Sequence, residues 1–318
     1  MQSPFVSVIV VNYNGGEFLP ACLDSVARQT YPRHRFETIV VDNGSTDGSA
    51  DAARRSHPWA RSLRLGGNRG FAGGNNAGIA VARGRWLALL NCDAVAEPNW
   101  LAEAVNAGEH GPGVVGVACR IVFRDDPWMF NSTGLELYHD GRAGDRDAGI
   151  NTAFERRSGE VFGGCGAAVL LRKDAVDRVG RFDERLFLYS EDLDLAWRMR
   201  RAGGRFVYAP RARVRHVGSG TVGLASAFQT RFVDRNRTLV NVRHAPLWLA
   251  VLNGLGQFAR TGRSAFRWIT GRTTTAHVRA SVRGLGEMLA MLPGFALDRF
   301  ASGGADRLFR RWSRPVPR

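Results

Sequence analysis

Val6-Ser7-Val8-Ile9-Val10-Val11-Asn12-Tyr13-Asn14 is a β-branched apolar run that turns polar without a break. An apolar run of strand length without alternation predicts a strand buried on both faces. Two later stretches repeat the form: Phe36 to Val41 passes into Asp42-Asn43-Gly44-Ser45, and Trp86 to Leu90 passes into Asn91-Cys92-Asp93. Helical spacings fill the intervals, over Phe18 to Gln29, Thr46 to Ser56 and Asn75 to Arg83, with a short strand at Ser62 to Leu65 and a further helix over Asn99 to His110. Buried strands alternating with helices predict an α/β fold, a Rossmann-like and mostly parallel sheet with helices on both faces. Ligands of such sheets bind beyond the carboxyl ends of the strands. The three polar strand ends therefore mark a candidate site.

Further along, periodicity fades from Arg124 to Glu160, where glycine, aspartate and arginine dominate. That composition predicts a long, partly mobile loop. Regularity returns with a strand over Ala167 to Leu171, a short helix from Asp174, a helix over Glu191 to Ala202 and a strand near Arg205 to Tyr208. The tail differs in kind. Between Arg235 and Arg318 stand 15 arginines against three acids, Glu287, Asp298 and Asp306, so this quarter carries twelve of the fifteen net positive charges. Its apolar stretches, Pro246 to Phe258 and Leu285 to Leu297, fall short of the roughly 20 residues that span a bilayer. Two interfacial helices on anionic lipid, a helical oligomerisation surface and a solvated basic appendage all fit.

Composition excludes several chemistries. The 318 residues, 44% hydrophobic and 23% charged, suit one large α/β domain with an appendage. Lys173 is the sole lysine, and no glycine-rich lead precedes it, so a P-loop nucleotidase is ruled out. Four cysteines without a C-x-x-C pair, Cys22, Cys92, Cys119 and Cys165, argue against a zinc ribbon and a disulfide scaffold. Met1-Gln2-Ser3-Pro4 runs straight into a strand, which points to the cytosol or the cytosolic face of a membrane, with peripheral attachment.

Four features carry candidate chemistry. Asp93 ends a buried strand, where a carboxylate holds a divalent cation or simply makes a turn. Asn91, two residues earlier, points to the same side. Gly66 to Asn76 is a glycine-dense loop entering a helix, suited either to close approach of backbone N–H groups to an anion or to a flexible turn. It lacks the G-x-G-x-x-G spacing of dinucleotide sites. Ser190-Glu191-Asp192-Leu193-Asp194-Leu195-Ala196-Trp197-Arg198 opens a helix with Ser190 as N-cap. Its acids serve either the helix dipole or proton transfer, and Asp194 with Arg198 forms a structural i,i+4 pair. His216 follows the last strand and by itself is an ordinary histidine.

Taken in order, these motifs, with Asn68-Arg69-Gly70-Phe71-Ala72-Gly73-Gly74-Asn75 and Gly180-Arg181-Phe182-Asp183-Glu184, resemble family 2 glycosyltransferases of the GT-A fold, the rhamnosyltransferase-like bacterial branch in particular. The resemblance covers roughly residues 5 to 245. It implies a GT-A domain over 1–240, with a nucleotide-sugar half at about 1–115 and an acceptor half at about 116–240, followed by a basic helical region over 241–318. It assigns Val11, Asn12, Tyr13, Asp42 and Asn43 to the nucleotide pocket, and Asn68, Gly70 and Asn75 to the diphosphate and donor sugar. Asn91 and Asp93 stand at the family's D-x-D, with asparagine in place of the first acid. Asn43 also replaces an aspartate common in the family. Asp93 and His216 would hold Mn²⁺ or Mg²⁺, and Asp192, with Glu191 beside it, would be the catalytic base.

The implied activity is inverting, metal-dependent transfer of a sugar from a nucleoside-diphosphate donor, dTDP-rhamnose or a UDP-hexose, to a lipid-linked or cell-envelope glycan. Nucleic acid is not an expected partner; an anionic membrane surface is one of the partners that the tail allows. Two other classes compete. A sugar-nucleotide nucleotidyltransferase would need basic residues on a triphosphate, and Asn12 to Pro20 has none. An arginine-rich polyanion or membrane-surface binder on a non-catalytic GT-A fold would use the tail alone.

Overall fold

The first apolar run forms β1 (Val6–Asn12). It is followed by α1 (Phe18–Ala27), β2 (Phe36–Asp42), α2 (Ser49–Ser56), β3 (Arg61–Arg64), α3 (Gly70–Val81), β4 (Trp86–Leu90), β5 (Ala94–Ala96) and α4 (Trp100–Glu109). The computed structural model describes residues 3–154, 156–218, 226–301 and 306–316. β1 lies between β2 and β4, parallel to both, and β3 extends the parallel set beyond β2. Side chains of a strand alternate between faces, and here each face has its own cover. Val6, Val8 and Val10 pack with Leu19, Leu23 and Val26 of α1 and with Trp100 and Leu101 of α4. The opposite face meets α3, where Gly74 and Gly78, one turn apart, sit against Val11 and Ile9. A Cβ on either glycine would come within 2.6 Å of those valine and isoleucine methyls. The glycines of this segment thus let α3 lie close on the sheet.

The second half adds β6 (Val114–Phe123), β7 (Phe130–Ser132), β8 (Leu135–Tyr138), β9 (Ala143–Asp145), β10 (Gly159–Val161), β11 (Ala168–Arg172), α5 (Lys173–Arg178), α6 (Glu191–Arg201) and β12 (Arg205–His216). The sheet order is β10-β12-β6-β11-β4-β1-β2-β3. β11 runs antiparallel to both β4 and β6, while β12 is parallel to β6. The sheet is therefore parallel through its first half and mixed beyond it.

Three local expectations need correction. The stretch from Arg124 to Glu160 is not one loop: β7, β8, β9 and β10 lie on it, with Phe130 N donating to Ile150 O at 2.9 Å and Thr133 N to Arg146 O at 3.0 Å. Strands of three or four residues are too short to print a period. The last strand does not stop at Tyr208; a register shift between Ala209 and Arg213 carries β12 on to His216. Ser190 is not an extended N-cap, because its φ is 66°, and Phe187 and Tyr189 share that left-handed backbone at 65° and 71°. Such residues are strained in proportion to their side chains and concentrate at functional sites. The expected Asp194–Arg198 pair is present at 2.8 Å, with the Asp194 side chain fully buried.

The described residues divide into two compact units, the first holding 3–135, 145–154, 156–187 and 191–218, the second 136–144, 188–190, 226–301 and 306–316. The second unit contains α7 (Ala227–His244), α8 (Leu247–Ile269), α9 (Thr275–Ala301), α10 (Asp306–Trp312) and β13 (Ser313–Arg314). Ser226 caps α7, accepting from Gln229 N. Asparagines tie the two short inserts to the helices: Asn241 donates to Gly141 O at 2.9 Å, Asn253 to Asp140 O at 3.2 Å, and Asn236 to Leu188 O and Tyr189 O at 2.8 and 2.6 Å. Among the described residues, no helix is long and apolar enough to cross a membrane.

Candidate active site

Register brings the polar strand ends together. Asn12 at the end of β1 is paired with Asp42 at the end of β2. Asn12 is fully buried and fully used: its amide donates to Ser45 Oγ and Ser49 Oγ at 3.0 and 2.9 Å, and its Oδ1 accepts from Gly15 N. Asp42 accepts from Ser45 N at 2.9 Å and faces the Arg64 guanidinium at 3.4 Å. Tyr13 is the exposed member of this rim, and Val11 is partly exposed.

Asn43 organises the glycine-dense loop. Its amide donates to Asn68 Oδ1 at 3.1 Å and Gly70 O at 2.9 Å, and its Oδ1 accepts from Arg69 N at 2.9 Å. Asn68 Oδ1 in turn accepts from Gly70 N at 2.8 Å. Helix α3 starts at Gly70, five residues before the expected Asn75, because this network rather than apolar spacing begins it. Gly70 is demanded twice: its φ is +69°, and a Cβ would stand 2.3 Å from Phe187 O. Asn75, buried within α3, donates back to Phe71 O. Asn12 and Asn43 thus brace the loops around the candidate site, while Asn75 bonds within α3.

The motif at Gly180–Glu184 locks against the same helix. Asn76 donates to Phe182 O at 2.9 Å and to Glu184 at 3.1 Å, Phe182 N returns a bond to Asn76, and Phe182 stacks edge-on with Phe71.

Topology also unites residues far apart in sequence. β5 pairs with β12 so that Ala94 stands opposite His216. Asp93 Oδ1 then lies 3.1 Å from His216 Nε2, and both side chains are buried. Asn91 Nδ2 is 3.4 Å from the same nitrogen, while Asn131 Oδ1 is 2.9 Å from His216 Nδ1. An amide oxygen only accepts, so Nδ1 carries the hydrogen and, in the neutral ring, Nε2 presents a lone pair. A lone pair facing a carboxylate oxygen is repulsive until a proton or a metal cation stands between them. Imidazole with carboxylate is a donor set that Mn²⁺ accepts, so these residues fit a divalent metal. No cluster of three or more His, Cys, Asp or Glu suited to a metal exists among the described residues. Asp93 and His216 supply two positions, and oxygens of a ligand or water would complete the shell.

The acids of α6 occupy two different environments. Asp192 is only partly exposed, accepting from Gly166 N at 3.0 Å and from Leu193 N at 2.8 Å. Burial by the surrounding protein, reinforced by the negative charge of Asp145, raises its pKa to about 6 against those backbone bonds. Glu191 is buried, its Oε2 has no hydrogen-bond partner, and burial followed by repulsion from Asp192 pushes its pKa well above the carboxylate range. Burial thus favours the protonated form of Glu191, whereas Asp192, with a pKa of about 6, is mostly ionised at neutral pH.

The sequence model of glycosyl transferase family 2 matches residues 7–180, more than half of the chain. The chain belongs to glycosyl transferase family 2. Among its relatives, glycosyltransferase AglE of Haloferax volcanii is 31% identical over 186 residues, an alignment covering 58% of this chain and 57% of AglE. The N-acetylglucosaminyl-diphospho-decaprenol L-rhamnosyltransferase of Mycobacterium tuberculosis is 28% identical over 275 residues, covering 77% of this chain and 87% of its own. The match to AglE thus spans little more than half of that relative's length. Among solved structures, GalNAc-T7 with UDP, GalNAc and Mn²⁺ aligns with a TM-score of 0.61 at 16% identity, covering 76% of this chain and 48% of that one. The mannosyltransferase PcManGT of Pyrobaculum calidifontis, in complex with GDP-Man and Mn²⁺, aligns at 0.56 and 19%, over 95% and 89% of the two chains. The fold is GT-A, as the motifs implied.

Four residues escape sequence reasoning. Asn131 and Asp145 lie in the stretch without periodicity, and nothing local marks them. Asn76 closes the glycine-dense loop Gly66 to Asn76, but nothing local gives it a role of its own. The fourth, Gly166, carries a local signal in the glycine run Gly163-Gly164-Cys165-Gly166, and a Cβ there would stand 2.7 Å from Phe71 Cζ.

The family's common aspartate at position 43 is incompatible with this loop. In Asn43→Asp a carboxylate oxygen would face Asn68 Oδ1 and Gly70 O, both acceptors. The variant is expected to lose about 1–3 kcal/mol in urea unfolding at neutral pH. A variant as stable as wild type would remove Asn43 from the role of loop anchor.

Proposed function

We propose that this glycosyltransferase moves a sugar, with inversion, from a nucleoside-diphosphate donor, dTDP-rhamnose or a UDP-hexose, to a hydroxyl of a lipid-linked or cell-envelope glycan. The observation that carries the reading is Asp192, held by Gly166 N and Leu193 N at the head of α6 with a pKa of about 6. A group so placed is ionised at neutral pH yet basic enough to take a proton from a hydroxyl as that hydroxyl becomes a nucleophile. As the acceptor oxygen bonds to the anomeric carbon, its proton passes to Asp192. The bond from that carbon to the diphosphate oxygen breaks, and its electron pair leaves with the nucleoside diphosphate. Attack opposite the leaving group inverts the centre without a covalent enzyme intermediate. Tyr13, Asp42, Asn91 and the Asn68–Gly70 loop would receive the donor, among loops braced by Asn12 and Asn43. A divalent metal on Asp93 and His216 would supply Lewis-acid stabilisation of the departing diphosphate. Relatives support the acceptor class: the mycobacterial one is named for adding L-rhamnose to N-acetylglucosaminyl-diphospho-decaprenol.

Thermal unfolding with UDP, dTDP and GDP, each with and without Mn²⁺, tests the donor half. A nucleotide at one hundred times its Kd adds about 2.7 kcal/mol. Stabilisation by dTDP or UDP that requires metal is the expected result; no shift with any nucleotide would sink the reading.

The acid limb of kcat/KM is expected to fall at about pH 6. Below its pKa Asp192 carries a proton and cannot accept another, so the rate drops about tenfold per pH unit. A limb near pH 4 would assign the base elsewhere.

A further inference from the structure

Helix α8 is amphipathic the wrong way round for a helix in water. Asn253, Gln257 and Thr261, at i, i+4 and i+8, are buried. Gln257 accepts from Arg260, which also pairs with Asp234 of α7 at 2.9 Å. The outer face instead carries Leu247, Val251, Leu255, Phe258, Phe266 and Ile269, with exposures from 49% at Phe258 to 75% at Ile269. A surface helix normally turns its apolar stripe to the core and its polar face outward. An apolar stripe about six turns long, left uncovered, marks an interaction surface.

Charge selects the occupant. Arg263 and Arg267 stand exposed along the stripe and Arg272 just beyond the helix end. Two of the three tail acids are consumed internally: Glu287 pairs with Arg231, Arg235 and Arg283, and Asp298 with Arg243. A second copy of the chain would bring the same cations to the contact. An anionic bilayer supplies apolar depth and opposite charge together. With Arg260, Arg263 and Arg267 in its sequence, α8 is not a spanning helix.

We propose that the outer face of α8 inserts in the plane of an anionic membrane interface, with Leu247, Val251, Leu255, Phe258, Phe266 and Ile269 among acyl chains and Arg263, Arg267 and Arg272 on lipid phosphates. The first of the two apolar tail stretches carries this face; in the second, Met288 and Phe295 are buried while Leu289 and Leu297 are exposed. The inference goes beyond the catalytic reading and stands without it, since it uses no residue of the first unit.

The test is flotation of the full chain with phosphatidylcholine vesicles, with or without about one third phosphatidylglycerol. Binding to the anionic vesicles only, with a blue shift of tryptophan emission that Trp248→Phe diminishes, is expected. Leu255→Asp with Phe258→Asp should weaken binding about tenfold or more, and Arg263→Glu with Arg267→Glu should abolish the preference for anionic lipid. Both pairs are exposed, and unchanged melting and nucleotide shifts verify the fold. A wild-type chain that stays in solution with anionic vesicles overturns the proposal. So does a dimer by light scattering that Leu255→Asp dissociates, which would give the stripe to a second copy.

Discussion

Asp192→Asn is expected to lower sugar transfer by about 10²- to 10⁴-fold while leaving nucleotide stabilisation intact. The amide has no basic lone pair to receive the acceptor proton, yet it keeps the shape at the head of α6. The same substitution leaves a signature in stability. The folded-state pKa of Asp192, about 6, lies above the ordinary aspartate value, so the folded state holds this proton longer than the unfolded chain does. Ionising the group costs stability progressively as pH rises from about 4 to 6, and the cost is constant above that. Asparagine does not titrate. It also loses one of the two acceptors that meet Gly166 N and Leu193 N, a penalty independent of pH. The melting temperature of the variant minus that of wild type should therefore rise between pH 4 and pH 6 and then level off. Wild-type turnover in the variant would end the claim for this base, and a flat difference would remove its raised pKa.

Asp93→Ala should abolish the metal-dependent part of nucleotide binding, with loss of the full stabilisation of about 2.7 kcal/mol that a nucleotide at one hundred times its Kd provides. Asp93 brings the carboxylate charge, and among the described residues His216 stands opposite it at 3.1 Å as the proposed second donor. The neighbouring bonds, Val217 N to Asp93 O and Ala94 N to Asn91 O, are backbone bonds and survive the substitution. The apo fold should thus persist, as circular dichroism would verify. Asn91→Asp tests the same point in reverse. Restoring the family's first acid adds a negative ligand, so Mn²⁺ should bind more tightly when titrated alone. Equal Mn²⁺ dependence in wild type and Asp93→Ala would place the metal elsewhere.

Much of this was legible before any coordinates. Apolar runs of strand length ending in Asn12, Asp42 and Asn91 announced a doubly covered sheet and the edge that carries the candidate site, because strand burial and strand ends are written in consecutive residues. The six motifs gave the family, since each is a local turn with its own residue requirements. The acids Glu191 and Asp192 at the head of α6, from which the proposed base is taken, were legible for the same reason. What the sequence left unwritten is what depends on partners distant along the chain. Nothing near His216 says that a register shift in β12 and its pairing with β5 will place it 3.1 Å from Asp93. Nothing near Asn131 says that it will fix the tautomer of that ring. The raised pKa of Asp192 comes from burial and from Asp145, 47 residues away. The apolar spacing of α8 was visible too, but spacing cannot say which face of a helix is covered. Packing against α7 took the polar side and left the apolar stripe outside. Local order is set by neighbours in sequence, whereas proximity, protonation and exposure are set by the tertiary fold.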